Sequence, residues 1–389
     1  GFSSDRKIKK VKIIWVHACS VGEVKSISNL SKEFLKRKYS VLITTNTLLS
    51  ANYVKKNFSK KIKHQFIPID FNFSTKKFLK HWKPDIAIFV ESEIWPNLIN
   101  NCKKKNIPLV LLQASFSKKS LKKWSFCKSF FKDLLSNFTF IIAQSEKERK
   151  KLHDFANIKV DDVYNLKNSS PPLEIKKQEV VKIKKEISNH FIITALSTHI
   201  GEEKIILDSL NKIVKKIKNL ILVIQPRHPN RAGKIKKLVE GYGYNIKQRS
   251  INEYPKKDTI VYLADTFGES GTLISIADLV ILGGTLTPVG GHNIIEPAQM
   301  SKCIIVGNHY SKIEDTIDAF KKSKAVKLIE KNTELSKLIN NIYNDRKKLK
   351  NIGKNALFIT KSYPKKEESI VNKIIFLVKN ENSKILVQR

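Results

Sequence analysis

The chain has 389 residues, 41% of them hydrophobic, which is too long for one ordinary core and apolar enough to fill two, so wholesale disorder is excluded. Lys and Arg total 73 against 35 Asp and Glu, and the formal net charge of +38 favours polyanions, either nucleic acid or an anionic membrane face. A genome biased toward Lys, Asn and Ile gives the same excess without selection for binding.

In chain order, short β-branched apolar runs alternate with lysine-rich helical segments, which points to parallel sheets covered by helices. The first half carries predicted strands at Val11–Ala18, Val41–Thr45, Gln65–Ile69, Asp85–Glu91, Pro108–Ala114 and Phe138–Gln144. The second carries them at Phe191–Leu196, Leu220–Gln225, Thr259–Leu263, Leu279–Gly283 and Cys303–Val306. Between them Asn165–Pro172 reads NLKNSSPP, whose prolines forbid a continuing helix. This predicts an α/β protein of two doubly wound, Rossmann-like domains, 1–168 and 173–360, facing across a cleft, with 361–389 as a C-terminal helix. Cys19, Cys102, Cys127 and Cys303 lack paired spacing, so neither a zinc site nor a disulfide framework is indicated, and reduced thiols in a cytosolic compartment are expected. No run of the given residues reaches the ~18 apolar residues of a membrane helix, and none of them reads as a signal peptide.

Five strand-end loops carry candidate chemistry. After the first strand, Cys19-Ser20-Val21-Gly22-Glu23 opens a helix; Gly22 permits close backbone approach, and Glu23 either complements the helix dipole or acts in a site. Glu91-Ser92-Glu93-Ile94-Trp95-Pro96 follows a buried strand, where two carboxylates are costly unless bonded or working; Ser92 or Glu93 as a helix cap is the alternative. Ser197-Thr198-His199-Ile200-Gly201-Glu202-Glu203 reads as a phosphate cradle or as an ordinary capping box. Arg227, in Pro226-Arg227-His228-Pro229, stands where a guanidinium can grip phosphate, or lies in solvent. The most specific run, Gly283–Pro297, reads GGTLTPVGGHNIIEP: four glycines and a helix start make an anion-binding geometry, with Glu296 placed for ribose hydroxyls. It matches neither the Walker loop nor the dinucleotide fingerprint.

The ordered set HACSVGE, ESEIWPN, NLK, STHIGEE, PRHP, DTFGESG and GGTLTPVGGHNIIEP, spread from Trp15 to Tyr310, resembles the Kdo (3-deoxy-D-manno-octulosonic acid) transferase family of GT-B glycosyltransferases. The resemblance implies an inverting enzyme that needs no metal or other cofactor and moves Kdo from CMP-Kdo to the lipid A precursor lipid IVA. It also implies work at the cytoplasmic face of a bacterial inner membrane, with a membrane anchor that would lie before Gly1. By the same resemblance Glu23 is the general base and Glu93 a second acid of the acceptor site, with Glu91 its companion and Ser20 and Gly22 beside them. Ser197, Thr198, Arg227, Gly268, Glu269, Gly290, Gly291, Asn293 and Glu296 fall on the CMP side. Gln113-Ala114-Ser115-Phe116-Ser117 departs from the family's Asn-Ala-Arg-Leu-Ser and loses an arginine, which Lys118 or Lys119 would replace; Tyr164 replaces a usual glycine.

The expected chemistry is proton removal from the acceptor hydroxyl by Glu23 while amides, a helix dipole and Arg227 stabilise the departing phosphate. Trp124–Phe131 (WSFCKSFF) is either an interfacial stretch or core. The rival readings are another GT-B enzyme using a UDP-sugar, as transferase or epimerase, and a nucleic-acid binder. The second lacks any helix-turn-helix, zinc or RRM signature, so no specific nucleic acid is expected.

Overall fold

The structure, a computed structural model, describes residues 11–169, 172–363 and 366–379. They form two compact units: the first takes 11–169 and 366–379, the second 172–363.

The first unit is a parallel sheet of β1 (Ile13–His17), β2 (Ser40–Thr45), β3 (Lys63–Phe66), β4 (Ile86–Val90), β5 (Leu109–Ala114), β6 (Phe140–Ala143) and β7 (Asp162–Val163), in the order β3-β2-β1-β4-β5-β6-β7. The second unit is built likewise from β8 (Phe191–Thr198), β9 (Leu220–Pro226), β10 (Ile246–Gln248), β11 (Val261–Leu263), β12 (Leu279–Leu282), β13 (Cys303–Val306) and β14 (Lys327–Leu328), ordered β10-β11-β9-β8-β12-β13-β14. Both faces of each sheet are buried, which is why the central strands read as unbroken apolar runs. Along β1 the pleat sends Ile13 and Trp15 into one core and Ile14 and Val16 into the other.

Three strands escaped the sequence reading, β7, β10 and β14. All are sheet edges of two or three half-buried residues, so they carry no apolar run to recognise. The third strand lies earlier than Gln65–Ile69: Ile67 still donates to Thr45, but Pro68 has no N–H with which to extend the ladder.

Chain order reverses between β1 and β4 in the first sheet and between β8 and β12 in the second. These are the topological switch points, and ligands of open α/β sheets bind at the carboxyl ends of strands there. The candidate loops after β1 and β4, and those after β8 and β12, all fall at them.

The C-terminal helix, Glu367–Lys379, is not an independent segment. It buries Ile370, Val371, Ile374, Ile375, Leu377 and Val378 in the core that holds Ile14 and Val16 of β1. Lys366 donates to Asp162 at 2.8 Å, and Glu367 accepts from the Tyr164 hydroxyl at 2.9 Å. The tyrosine that replaces a usual glycine thus ties this helix down. The preceding helix, Arg346–Ser362, runs past the expected boundary at 360. The linker Asn165–Pro172 lies partly outside the described residues; its described start is a 3₁₀ turn, Leu166–Ser169, whose Leu166 is buried in the first unit.

Candidate active site

In the first unit β1 ends at His17 and the helix Val21–Ser26 starts four residues later, capped by Ser20. The Glu23 carboxylate folds back over this turn and accepts from Cys19 N at 2.8 Å, Ser20 N at 3.3 Å and Ser20 Oγ at 2.7 Å. The candidate base is therefore also the reciprocal half of the Ser20 capping box. Burial, then the charge of Glu91, push the Glu23 carboxyl up to about 7 against the pull of the Ser20 and Cys19 bonds. A carboxylate fixed by three donors, with a pKa near neutrality, has the properties of a general base.

Across the switch point Glu91 and Glu93 follow β4. Glu91 sits at φ 63°, in the left-handed region, directly after the strand, and accepts from Lys167 Nζ at 2.7 Å. Neither Ser92 nor Glu93 caps the next helix, Pro96–Lys104. Asp70, from the loop after β3, reaches over to accept from Asn97 N at 3.0 Å and Leu98 N at 2.8 Å. Glu93 turns toward β1, where His17 Nε2 donates at 3.1 Å, and it also accepts from Trp95 Nε1 at 2.9 Å. His17 is wholly buried and is itself held at Nδ1 by Thr44. Burial pushes Glu93 up, but the His17 bond, the imidazole charge and the Trp95 bond outweigh it, keeping the carboxyl below its ordinary range. The two acids consequently differ: Glu23 takes protons near neutrality and Glu93 stays charged.

His17, Lys167 and Asp70 were not assigned roles from sequence. His17 and Lys167 lie inside the HACSVGE and NLK runs, but their partners are 76 residues away along the chain, a separation no local pattern encodes. Gln113, also at positive φ, donates to Asn165 Oδ1 at 3.3 Å, and that oxygen accepts from Lys167 N at 3.0 Å. The departure at Gln113–Ser117 thus supports the turn that carries Lys167. Lys118 and Lys119 are exposed in the first turn of the helix Lys118–Trp124, where a cation opposes the helix dipole. The WSFCKSFF stretch divides: Phe131 is core and Trp124 packs on it, whereas Phe126 is 91% exposed.

In the second unit the capping box read at Ser197–Glu203 is not formed. Gly201, at φ 93°, starts the helix Glu202–Ile213 without a side-chain cap. Glu202, fully buried, instead accepts from four backbone amides: His199 and Gly284 at 2.8 Å, Thr285 at 3.0 Å and Leu286 at 2.9 Å. Glu203 makes a two-pronged pair with Arg231 at 2.9 and 2.8 Å and accepts from Thr198 Oγ1 at 2.6 Å. Ser197 sits at φ 59°, at an irregularity in the pairing of β8 with β9.

Gly283 has its Cα against the carbonyls of Leu196 and Ser197, where a Cβ would come within 2.5 Å of both oxygens. The Gly290 and Gly291 amides both donate within the loop, to Gly284 O at 3.1 and 2.7 Å. The helix that follows, Ile295–Gln299, has only five residues, so its dipole is small; Asn293 Oδ1 accepts from Ile295 N at its start, and Glu296 lies in its first turn. The loop is shaped by its glycines, and the positive charge beside it comes from side chains. His199 and His292 meet at 2.7 Å between Nε2 atoms; burial lowers both imidazoles, the charges of His228, Arg227 and Lys312 add to it, and Arg231 adds at His199. Arg227 is exposed at the end of β9, its amide bonded to Thr198 O. Glu269, beside Gly268, is buried and held by Arg249 at 3.0 and 2.9 Å; that ion pair, the Thr266 bond and Lys176 outweigh burial and keep it below the ordinary carboxylate range.

Comparison with known proteins bears on the family and the fold. A family described as 3-Deoxy-D-manno-octulosonic-acid transferase (kdotransferase) matches residues 1–169. The 3-deoxy-D-manno-octulosonic acid transferase of Rickettsia bellii is 34% identical over 351 residues, covering 89% of this chain and 83% of that protein. That of Haemophilus influenzae is 32% identical over 322 residues, 79% of this chain and 74% of that one. Among solved structures, a glycosyltransferase from Rickettsia africae superposes with a TM-score of 0.69 at 14% identity, over 96% of this chain and 100% of that chain. The UDP-GlcNAc 2-epimerase of Neisseria meningitidis gives 0.66 at 15%, over 94% and 100%. These show the GT-B architecture of two parallel-sheet units. With 34% identity to the Rickettsia bellii transferase over most of both proteins, the chain belongs to the 3-deoxy-D-manno-octulosonic acid (Kdo) transferase family and is a glycosyltransferase.

Proposed function

We propose that the chain transfers Kdo from CMP-Kdo to a phosphorylated lipid A precursor of the lipid IVA type, with inversion and without a metal, at an anionic membrane surface. The observation that carries this reading is the Glu23 carboxylate: buried, oriented by its own helix turn and raised to about 7 beside the first unit's switch point. Removing the acceptor hydroxyl's proton as the oxygen attacks is worth ~10²–10⁴-fold. Glu93, held ionised by His17 and Trp95, orients the acceptor sugar. On the second unit, Arg227 and Lys312 supply the positive charge that meets the departing cytidylate, a role in which fixed cations replace a metal.

Features of the first unit support a lipid acceptor. Leu48, Leu49, Ile69, Phe71 and Phe73 are large, apolar and exposed, and they follow the carboxyl ends of β2 and β3, the sheet edge that carries Glu23. Lys118 and Lys119, exposed after β5 on that edge, suit acceptor phosphates. These exposed apolar side chains suit an interfacial contact, and among the described residues no helix is long and apolar enough to cross a membrane.

The test is incubation of the protein with CMP-Kdo, generated beforehand and then treated with EDTA, and a tetraacylated disaccharide bisphosphate, followed by mass spectrometry of the lipid. A mass increase of one or more Kdo residues is expected. An unmodified acceptor, or transfer only from a UDP-sugar, would overturn the proposal.

A further inference from the structure

The His199–His292 contact joins two loops of the second unit, one following β8 and one following β12. The ring centroids are 5.0 Å apart, the planes differ by 13° and the Nε2 atoms stand 2.7 Å apart. Nitrogens so close between centroids so distant mean that the nearly parallel rings meet end to end, as in an N–H···N hydrogen bond, rather than face to face. Such a bridge holds one proton. Two neutral rings satisfy it when one carries its proton on Nε2 and the other on Nδ1. A singly protonated pair satisfies it equally, the added proton sitting on the free Nδ1 of the donating ring. A second added proton would set two N–H groups against each other and break the contact. The pair's capacity for extra charge is therefore one.

Its surroundings are cationic. Arg227 and His228 follow β9, with the His228 ring edge-on to His199 at 6.1 Å between centroids. Lys312, after β13, is fixed by its amide bond to Gly290 O at 2.9 Å and lies against Gly290. The carboxylates that follow His199 are occupied elsewhere, Glu202 by four amides and Glu203 by Arg231, and no carboxylate is among the groups that shift His292. Burial, then His199, Arg227, Lys312 and His228, push His292 down to about 4, and burial followed by the same kind of neighbours lowers His199. A phosphate anion placed among these cations offsets their repulsion of a further proton and so favours protonation of the imidazoles.

We propose that the His199–His292 pair is a proton acceptor linked to donor binding: the nucleotide's phosphate enters with uptake of one proton from solvent, stored in the Nε2–H···Nε2 pair. The inference rests on reading the second unit as the donor site. The stored charge adds to that of Arg227 and Lys312 as the leaving phosphate gains negative charge, and the proton departs with the released nucleotide. His199 and His292 are accordingly positioning and charge-tuning residues with a specific pH signature.

Titration calorimetry of the whole protein with CMP at pH 7, repeated in buffers of different ionisation heat, tests this. Uptake approaching one proton per CMP is expected, with Kd rising toward tenfold per pH unit on the alkaline side. CMP's own phosphate, whose second pKa is ~6, releases protons when bound as the dianion and takes one up only when bound as the monoanion, an origin that loss of the uptake in His292→Asn excludes. His292→Asn should abolish the uptake while retaining weaker CMP binding. CMP binding with no uptake, or undiminished uptake in His292→Asn, overturns the inference and leaves the donor-site reading intact; absence of CMP binding overturns both. Should His292→Asn fail to fold, ¹⁵N spectra of the imidazoles in the unaltered protein decide: unchanged ring protonation on CMP addition counts against the proposal.

Discussion

Glu23 meets two demands with one carboxylate. Its bonds to Cys19, Ser20 N and Ser20 Oγ close the helix turn, and the same bonds aim it, so cap and base are not alternatives. Because its folded-state pKa, about 7, lies above the unfolded value of 4.5, the folded protein binds more protons between those limits, and stability falls as pH rises from 4.5 through 7. Glu23→Gln removes that cost, which is at most ~3 kcal/mol above pH 7, reduced by the cap bonds the amide fails to replace. Denaturant melts should therefore show the variant gaining on the parent as pH increases, while transfer drops by ~10²–10⁴. A pH-independent stability difference would remove the raised pKa. Glu202 is the counterpart in the second unit: a wholly buried carboxylate whose four amide bonds set the course of Gly283–Leu286. In Glu202→Gln one acceptor oxygen becomes an NH₂ facing N–H groups, at ~1–3 kcal/mol for each partner left unsatisfied. The expected result is tenfold or greater loss of CMP affinity by calorimetry, with His17–Glu93 chemistry in the first unit untouched.

Among the elements, the helix Glu367–Lys379 shows how a segment can be read correctly in kind and differently in place. Its amphipathic pattern is evident from Ile370, Val371, Ile374 and Ile375, but the surface that receives it consists of residues near the chain's beginning, Ile14, Val16 and Phe34. Ile374, fully buried, is the test position: Ile374→Ala should cost ~2–5 kcal/mol, seen as a lower denaturant midpoint for the first unit while CMP binding by the second is retained. Equal loss of both would show that the helix does not belong to the first unit alone. The edge strands β7, β10 and β14 illustrate the converse. Two or three residues paired on one side bury too little to leave a pattern, and only their neighbours make them strands.

For the whole molecule, a net charge of +38 bears on association rather than fold. With the exposed Leu48, Leu49, Ile69, Phe71, Phe73 and Phe126 it predicts binding to vesicles containing phosphatidylglycerol that weakens with salt, each basic residue near the surface contributing ~1 kcal/mol. Replacing Phe71 and Phe73 by Ser should reduce the salt-resistant part of binding in a sedimentation assay. Binding indifferent both to salt and to those aromatics would count against an interfacial acceptor site.

The sequence by itself determined the two-unit parallel α/β architecture, the central strands, the loops at the switch points and Glu23 as the acid to watch. These are local properties: apolar runs, glycines, and a carboxylate one turn into a helix. Tertiary structure alone decided what those loops do, because the decisive partners are remote: His17 with Glu93, Lys167 with Glu91, Glu202 with the amides of Gly284–Leu286, and His199 with His292. A buried charge must find donors wherever the fold brings them, and that choice is made by packing rather than by neighbouring residues in the chain.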